Sequence, residues 1–235
     1  FDEYWRQVGL CAEAHYSQLA DVPQVHLGGW YDTYSMSTTD NYAALSRLKQ
    51  GPVYLIMGPW THGARSVSYA GDVDFGEQAP VDGNLSKDYN SYRLAFFDYW
   101  LKGQETPWAK EPPVRIFVMG GGSGPRNSDG RLSHGGYWRS ENAWPLERAQ
   151  YTRYLLLEGG QLSRYEQPGR SSSSRFIFDP NHPVPTIGGN ISSGLLIMDP
   201  GGFNQRESPE FYGSRPPYLP LASRPDVLVF QTEPL

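Results

Sequence analysis

Two short segments constrain this chain more than anything else in it. Val22-Pro-Gln-Val-His-Leu-Gly-Gly-Trp-Tyr-Asp32 and Pro52-Val-Tyr-Leu-Ile-Met-Gly-Pro-Trp-Thr-His62 each read as a buried strand that runs into glycine and then delivers one reactive side chain. A helical stretch lies between them, so the unit is strand, Asp32, helix, strand, His62. Parallel strands joined by a helix have their C-terminal ends on the same side of the sheet. That edge is where open α/β sheets bind ligands, so an acid and a base are expected side by side there.

The helix is argued from its ends. Ser37-Thr-Thr-Asp40 reads as a capping box, with Asp40 as a cap within the helix start. Tyr42, Leu45 and Leu48 recur along one flank, and Gly51 stands where a helix C-terminus favours a left-handed residue.

Composition bounds the rest. With 235 residues, 38% hydrophobic and 19% charged, the chain can build one large core or two small ones. A net charge of −5 without a Lys/Arg run argues against nucleic acid as the partner, and no apolar run is long enough to span a membrane. The single cysteine, Cys11, excludes an internal disulfide framework and favours a reducing, cytoplasmic compartment. Phe1-Asp-Glu-Tyr-Trp5 is neither an initiator nor a signal peptide and reads as the interior of a longer protein.

The sequence changes character near Glu111-Pro-Pro113. Just before it, Tyr89 to Lys102 places Tyr92, Phe96, Tyr99 and Trp100 on one helical face and stops at Gly103. After it come short β-rich runs, Val114 to Met119, Thr152 to Leu157, Arg175 to Phe178 and Asp226 to Thr232, separated by Gly, Pro and Ser clusters. This spacing suggests a β-sandwich. The Pro- and Gly-rich stretch from Asp179 to Pro225 is too long for a plain connection and is expected to cross a surface.

Each candidate residue has a plainer role to set against it. An Asp after a strand is commonly a helix cap, and a His in a Gly-Pro loop commonly faces solvent. Asp21 lies at the wrong end of its strand, and His26, mid-strand, reads as a packed core residue. His15, His134 and His182 are isolated, and no pair has metal-ligand spacing, so no metal is expected. Trp30, Tyr31 and Trp60 flank the acid and the base and are candidates for the wall of a substrate pocket. An alternative of another class is a non-catalytic β-sandwich module that binds sugar or peptide through Tyr137, Trp138 and Trp144.

Several segments in series carry a resemblance: Gly29-Trp-Tyr-Asp32, Gly58-Pro-Trp-Thr-His62, Phe96 to Gly103 with Pro113-Val-Arg-Ile-Phe-Val-Met-Gly120, Pro183-Val-Pro-Thr-Ile-Gly-Gly189 and Asp226-Val-Leu-Val-Phe-Gln-Thr232. Together they resemble the cocaine esterase and Xaa-Pro dipeptidyl-peptidase family of serine hydrolases, in family order and across nearly the whole chain. The resemblance implies the C-terminal part of an α/β-hydrolase domain over residues 1–110, followed by a jelly-roll β-sandwich over 111–235. Asp32 matches the triad aspartate and His62 the triad histidine. The implied chemistry is acyl transfer on a small-molecule ester, an amide or a short peptide, as in an esterase, an acylase or a dipeptidyl-peptidase, without a cofactor. A homo-oligomer is left open.

One departure from the family stands out. The nucleophile elbow Gly-x-Ser-x-Gly, which precedes the acid and the base in α/β hydrolases, occurs nowhere in these 235 residues, and Gly121-Gly-Ser-Gly124 fails its spacing. The expectation is therefore a piece of a longer protein, with the serine and the oxyanion-hole groups upstream and the sandwich unfinished after Glu233-Pro-Leu235.

Overall fold

β1 (Gln24–Tyr31) and β2 (Val53–Thr61) are parallel, with α1 (Ser35–Leu48) between them. The computed structural model describes residues 2–7, 9, 11–166, 173–191 and 198–234. The remaining strands and helix are β3 (Tyr69–Ala70), β4 (Val73–Asp74), α2 (Tyr89–Lys102), β5 (Val114–Met119), β6 (Leu132–Ser133), β7 (Gly136–Glu141), β8 (Leu155–Leu157) and β9 (Gln161–Ser163). The chain divides into two units. One comprises Phe1–Glu147, Gly188–Ser192 and Asp199–Phe203, and the other comprises Arg148–Ile187, Ser193–Met198 and Asn204–Leu235.

The first unit is built on a mixed sheet in the order β1-β2-β5-β7, with β5 parallel to β2 and β7 antiparallel to β5. β2 is buried along almost its whole length, as its unbroken apolar run requires of a central strand. Its side chains alternate between two clusters. Val53, Leu55 and Met57 pack with Tyr42 and Leu45 of α1 and with Val114 and Ile116. Tyr54, Ile56 and Trp60 pack with Tyr92 of α2, Val81 and Trp108. The aromatic flank expected on the second helix is there: Phe96, Tyr99 and Trp100 pack against this second cluster.

α2 has the expected bounds. Asp88 caps it by accepting a hydrogen bond from the Ser91 N–H at 2.7 Å, and Gly103 closes it at φ 65°, where a side chain would be strained. α1 departs from the expectation at both ends. It starts at Ser35 without a side-chain cap, and Ser37–Asp40 lie inside its first turns, where Thr39 Oγ1 donates to the Ser35 and Met36 carbonyls. At the far end Lys49 is extended and Gly51 does not adopt a left-handed conformation. Instead the Asp21 carboxylate accepts from the Gln50 and Gly51 N–H groups, and these bonds hold its pKa below the ordinary range. A Cβ on Gly51 would stand 2.9 Å from Asp21 Oδ1, so glycine serves close approach here.

The sheet continues past Glu111-Pro-Pro113, where the sequence changes character. Leu55 pairs with Val114 and Met57 with Ile116, so the first β-rich run after that point extends the sheet of the first unit. The parallel register also shifts near the ends of β1 and β2. Gly29 pairs with Gly58 but Tyr31 pairs with Thr61, so β2 carries one extra residue, a bulge around Pro59 and Trp60. Proline is tolerated at such a point because a bulged residue has no ladder bond to lose. Gly29 and Gly58 admit this geometry, since a Cβ on either would collide with Trp60.

In the second unit, β8 and β9 form a two-stranded hairpin, joined by a single bridge between Gln161 and Gln231. Of the expected sandwich strands here, Thr152 to Leu157 is shortened to Leu155–Leu157, and Arg175 to Phe178 is not a strand. Asp226 to Thr232 contributes only the bridge at Gln231. A strand needs a partner for its peptide groups, and among the described residues these segments find few. Part of the Asp179 to Pro225 stretch, residues 192–197, lies outside the described residues. Elsewhere this stretch is held by Arg224, which grips Asp226 with two hydrogen bonds of 2.8 Å and also bonds to Glu207 and to the His182 carbonyl. The hydrogen bonds from Arg224 keep the Asp226 carboxyl below its ordinary range.

His26 sits on the outer strand, opposite Leu55, and its Nε2 is buried without a hydrogen-bond partner among the described residues. Burial lowers its pKa, so the folded state resists the proton that the unfolded chain accepts. Stability is therefore full above the unfolded pKa, about 6.5, and declines as pH falls below it. Urea unfolding between pH 7.5 and 5.5 is expected to show this decline and to show less of it in His26→Gln. Equal pH slopes in the two proteins would rule it out.

Candidate active site

The bulge, the end of β1 and the turn into α1 converge on Asp32. Its N–H donates to the Gly29 carbonyl at 3.1 Å and its carbonyl accepts from Ser35 N–H at 3.0 Å, which fixes the backbone. The two carboxylate oxygens have separate partners. Oδ1 accepts from the Tyr34 N–H at 2.9 Å, and Oδ2 lies 2.9 Å from His62 Nδ1. A carboxylate only accepts, so the proton in the second bond belongs to the imidazole. Asp32 is buried, with 9% of its side chain exposed, whereas the His62 side chain is 58% exposed.

The Tyr34 ring meets the imidazole edge-on, with centroids 5.3 Å apart. With Nδ1–H held by Asp32, the neutral ring carries its lone pair on Nε2, which has no hydrogen-bond partner among the described residues. A buried acceptor behind Nδ1 and a free Nε2 in front make a group able to take a proton and return it.

This pair opens on a cleft of about 320 Å³ lined by Val25, Leu27, Trp60, Thr61, Arg65 and Tyr89 among others. Of the three aromatic residues expected in its wall, Trp60 lines it. Its indole N–H donates to the Ala79 carbonyl at 3.1 Å. Trp30 and Tyr31 do not line it. Trp30 donates to the Phe117 carbonyl and packs against Trp144, and Tyr31 packs against Phe75. Tyr34, Arg65 and Tyr89 were not foreseen. Tyr34 follows Asp32 by two residues but carries no pattern of its own, and Tyr89 reaches the cleft from a distant helix start.

The aromatic residues behind the sugar- or peptide-binding alternative are mostly spent inside the first unit. Trp138 packs against Trp60 and Phe117 and donates to the Gln78 carbonyl, while Trp144 packs against Trp30, which leaves Tyr137 exposed. Among the described residues, no group of three or more His, Cys, Asp or Glu side chains could hold a metal ion, and no helix is long and apolar enough to cross a membrane.

Comparison with known proteins bears on the same residues. Residues 1–64 match the family described as X-Pro dipeptidyl-peptidase (S15 family), and residues 106–235 match the X-Pro dipeptidyl-peptidase C-terminal non-catalytic domain. The whole chain is 28% identical to cocaine esterase of Rhodococcus sp. (strain MB1 Bresler) over 247 residues, and it spans 36% of that protein's length. Two crystal structures of a CocE/NonD family hydrolase from Staphylococcus aureus are similar over 71% and 70% of this chain and 24% of theirs. Both are 18% identical, with TM-scores of 0.46 and 0.45. The second of the two family matches covers more than half of the chain, which therefore belongs to the X-Pro dipeptidyl-peptidase family.

Proposed function

We propose that Asp32 and His62 are the acid and the base of a Ser-His-Asp triad, and that the protein containing this chain hydrolyses an ester or amide by acyl transfer. The observation that carries this reading is the 2.9 Å bond between His62 Nδ1 and Asp32 Oδ2 at the ends of neighbouring parallel strands, with Nε2 left open to the cleft. A serine supplied by residues outside these 235 attacks the carbonyl while His62 Nε2 takes its proton. His62 then returns the proton to the leaving group, and an acyl-enzyme remains. Water, deprotonated by the same nitrogen, releases the acid. Asp32 keeps the imidazole in the Nδ1–H tautomer and stabilises the imidazolium, and it stays ionised throughout. Trp60 walls the acyl or leaving group.

On this reading residues 1–110 belong to the hydrolase domain and 111–235 to the jelly-roll β-sandwich domain, with the sheet shared across the boundary at β5. The second family match, beginning at residue 106, supports that division. The substrate is a small ester, an amide or an Xaa-Pro peptide.

The test is to recover the full open reading frame and screen it against p-nitrophenyl esters and Xaa-Pro-p-nitroanilides, with labelling by a fluorophosphonate serine probe. Hydrolysis with probe labelling is expected; a full-length protein that neither labels nor hydrolyses any of them overturns the reading. The 235-residue chain alone is expected to leave p-nitrophenyl acetate intact, because it holds no nucleophile elbow.

A further inference from the structure

The cleft beside His62 holds a cation with no use in acyl transfer itself. Arg65 lies three residues beyond the base, and its guanidinium is stacked on the Tyr89 ring, 3.7 Å from its centroid. Nη1 donates to the Gly63 carbonyl at 3.2 Å, and this is the only side-chain hydrogen bond Arg65 makes among the described residues. Nε is buried and has no hydrogen-bond partner among the described residues. No carboxylate pairs with Arg65 among the described residues.

Arg65 is also held in place from behind. Its carbonyl accepts from Val81 N–H at 2.9 Å, and Tyr89 is anchored by its own N–H to Asp82 Oδ1 at 2.9 Å. A guanidinium fixed against a ring keeps its donors in one plane and loses little freedom when it binds an anion. Asp32 is the other permanent charge in the lining, and both of its oxygens are occupied by His62 and Tyr34. The unmatched charge in the cleft is therefore positive, and buried donors without acceptors are rare in folded proteins.

We propose that Arg65 is a carboxylate subsite and that the substrate carries a carboxylate near its scissile bond, on the acyl or the leaving-group side. This deepens the reading of Asp32 and His62 as triad members and rests on it. The carboxylate accepts from Arg65 as a charge-assisted pair, and this places the reactive carbonyl in front of His62.

The experiment uses the full-length protein and three esters: p-nitrophenyl butyrate, which is neutral, mono-p-nitrophenyl glutarate, with the carboxylate on the acyl side, and 4-(butyryloxy)benzoate, with it on the leaving group. In Arg65→Met, kcat/KM for one of the two carboxylate esters is expected to fall about 10- to 100-fold relative to the neutral ester. Most of that fall should be in KM, and Arg65→Lys should recover part of it. The ester that responds identifies the side on which the carboxylate lies. A ratio unchanged within about twofold for both carboxylate esters overturns the proposal, as does an equal loss on all three, which would mean that Arg65 only supports the fold. Calorimetric titration of His62→Ala and His62→Ala/Arg65→Met with mono-p-nitrophenyl glutarate and with 4-(butyryloxy)benzoate reads the subsite without turnover. If His62→Ala still hydrolyses ester, the triad reading fails while the Arg65 comparison remains readable.

Discussion

His62→Ala in the full-length protein is expected to lower turnover on the order of 10⁶-fold and to abolish the acyl-enzyme burst. Without a base 2.9 Å in front of the buried Asp32 carboxylate, the serine hydroxyl keeps its proton and remains a weak nucleophile. The side chain is 58% exposed, with the bond to Asp32 and the ring contact with Tyr34 as its hydrogen-bond and ring partners among the described residues, so its removal is expected to leave the core intact. Stopped-flow absorbance with a p-nitrophenyl ester and intact-mass spectrometry with a slow ester both read the outcome. Normal burst acylation in the variant would assign the base to another residue.

Asp32→Asn is expected to cost about 10⁴-fold in turnover while the protein stays folded. The two oxygens of Asp32 have different tasks, and asparagine can perform only one of them. Its amide oxygen still accepts from the Tyr34 N–H, so the turn into α1 survives. Its NH₂ then faces His62 Nδ1 and can only donate. This forces the imidazole proton onto Nε2, where the serine needs a lone pair. The split is checked by measuring kcat beside the thermal unfolding midpoint. A variant with more than a tenth of wild-type turnover, or one that loses turnover only because it unfolds, would remove Asp32 from the mechanism.

The parts of this structure that were legible in the sequence are those decided within one segment. The apolar run of β2 and its parallel partner β1, the bounds of α2 from Tyr89 to Lys102, and Val114–Met119 as a strand each follow from a local period and a local stop signal. The acid and the base could be placed on one sheet edge because parallel strands share their direction. What escaped depended on partners far along the chain. The start of α1 at Ser35 is set by Asp32, whose carbonyl accepts from the Ser35 N–H and whose side chain fixes the preceding Tyr34, and not by the Ser37–Asp40 motif. Gly51 answers to Asp21, 30 residues away. β5 reads locally as one strand of a sandwich, but its place beside β2 is chosen by pairing with residues 59 positions earlier, Leu55 with Val114 and Met57 with Ile116. Trp30 and Tyr31 flank the acid in sequence, yet their rings are claimed by Trp144, the Phe117 carbonyl and Phe75. Arg65 and Tyr34 belong to no motif, and they are found only once the loops are folded.

The extra residue in β2 has a consequence for how far this region can change its length. Counting from Gly29 opposite Gly58, an unbroken ladder would set Asp32 beside Thr61. Adding one residue at Pro59 and Trp60 brings Tyr31 opposite Thr61 and moves the histidine up to the aspartate. Because strand side chains alternate between faces, removing one residue at the bulge would turn the imidazole to the opposite side of the sheet. Residues added in the turn after α1, by contrast, would be absorbed before the ladder begins at Gln24 and Val53. Natural length variation within this family should therefore collect around Gln50 and Gly51 and be excluded from Gly58 to Trp60, and an alignment of full-length relatives can be inspected for that asymmetry.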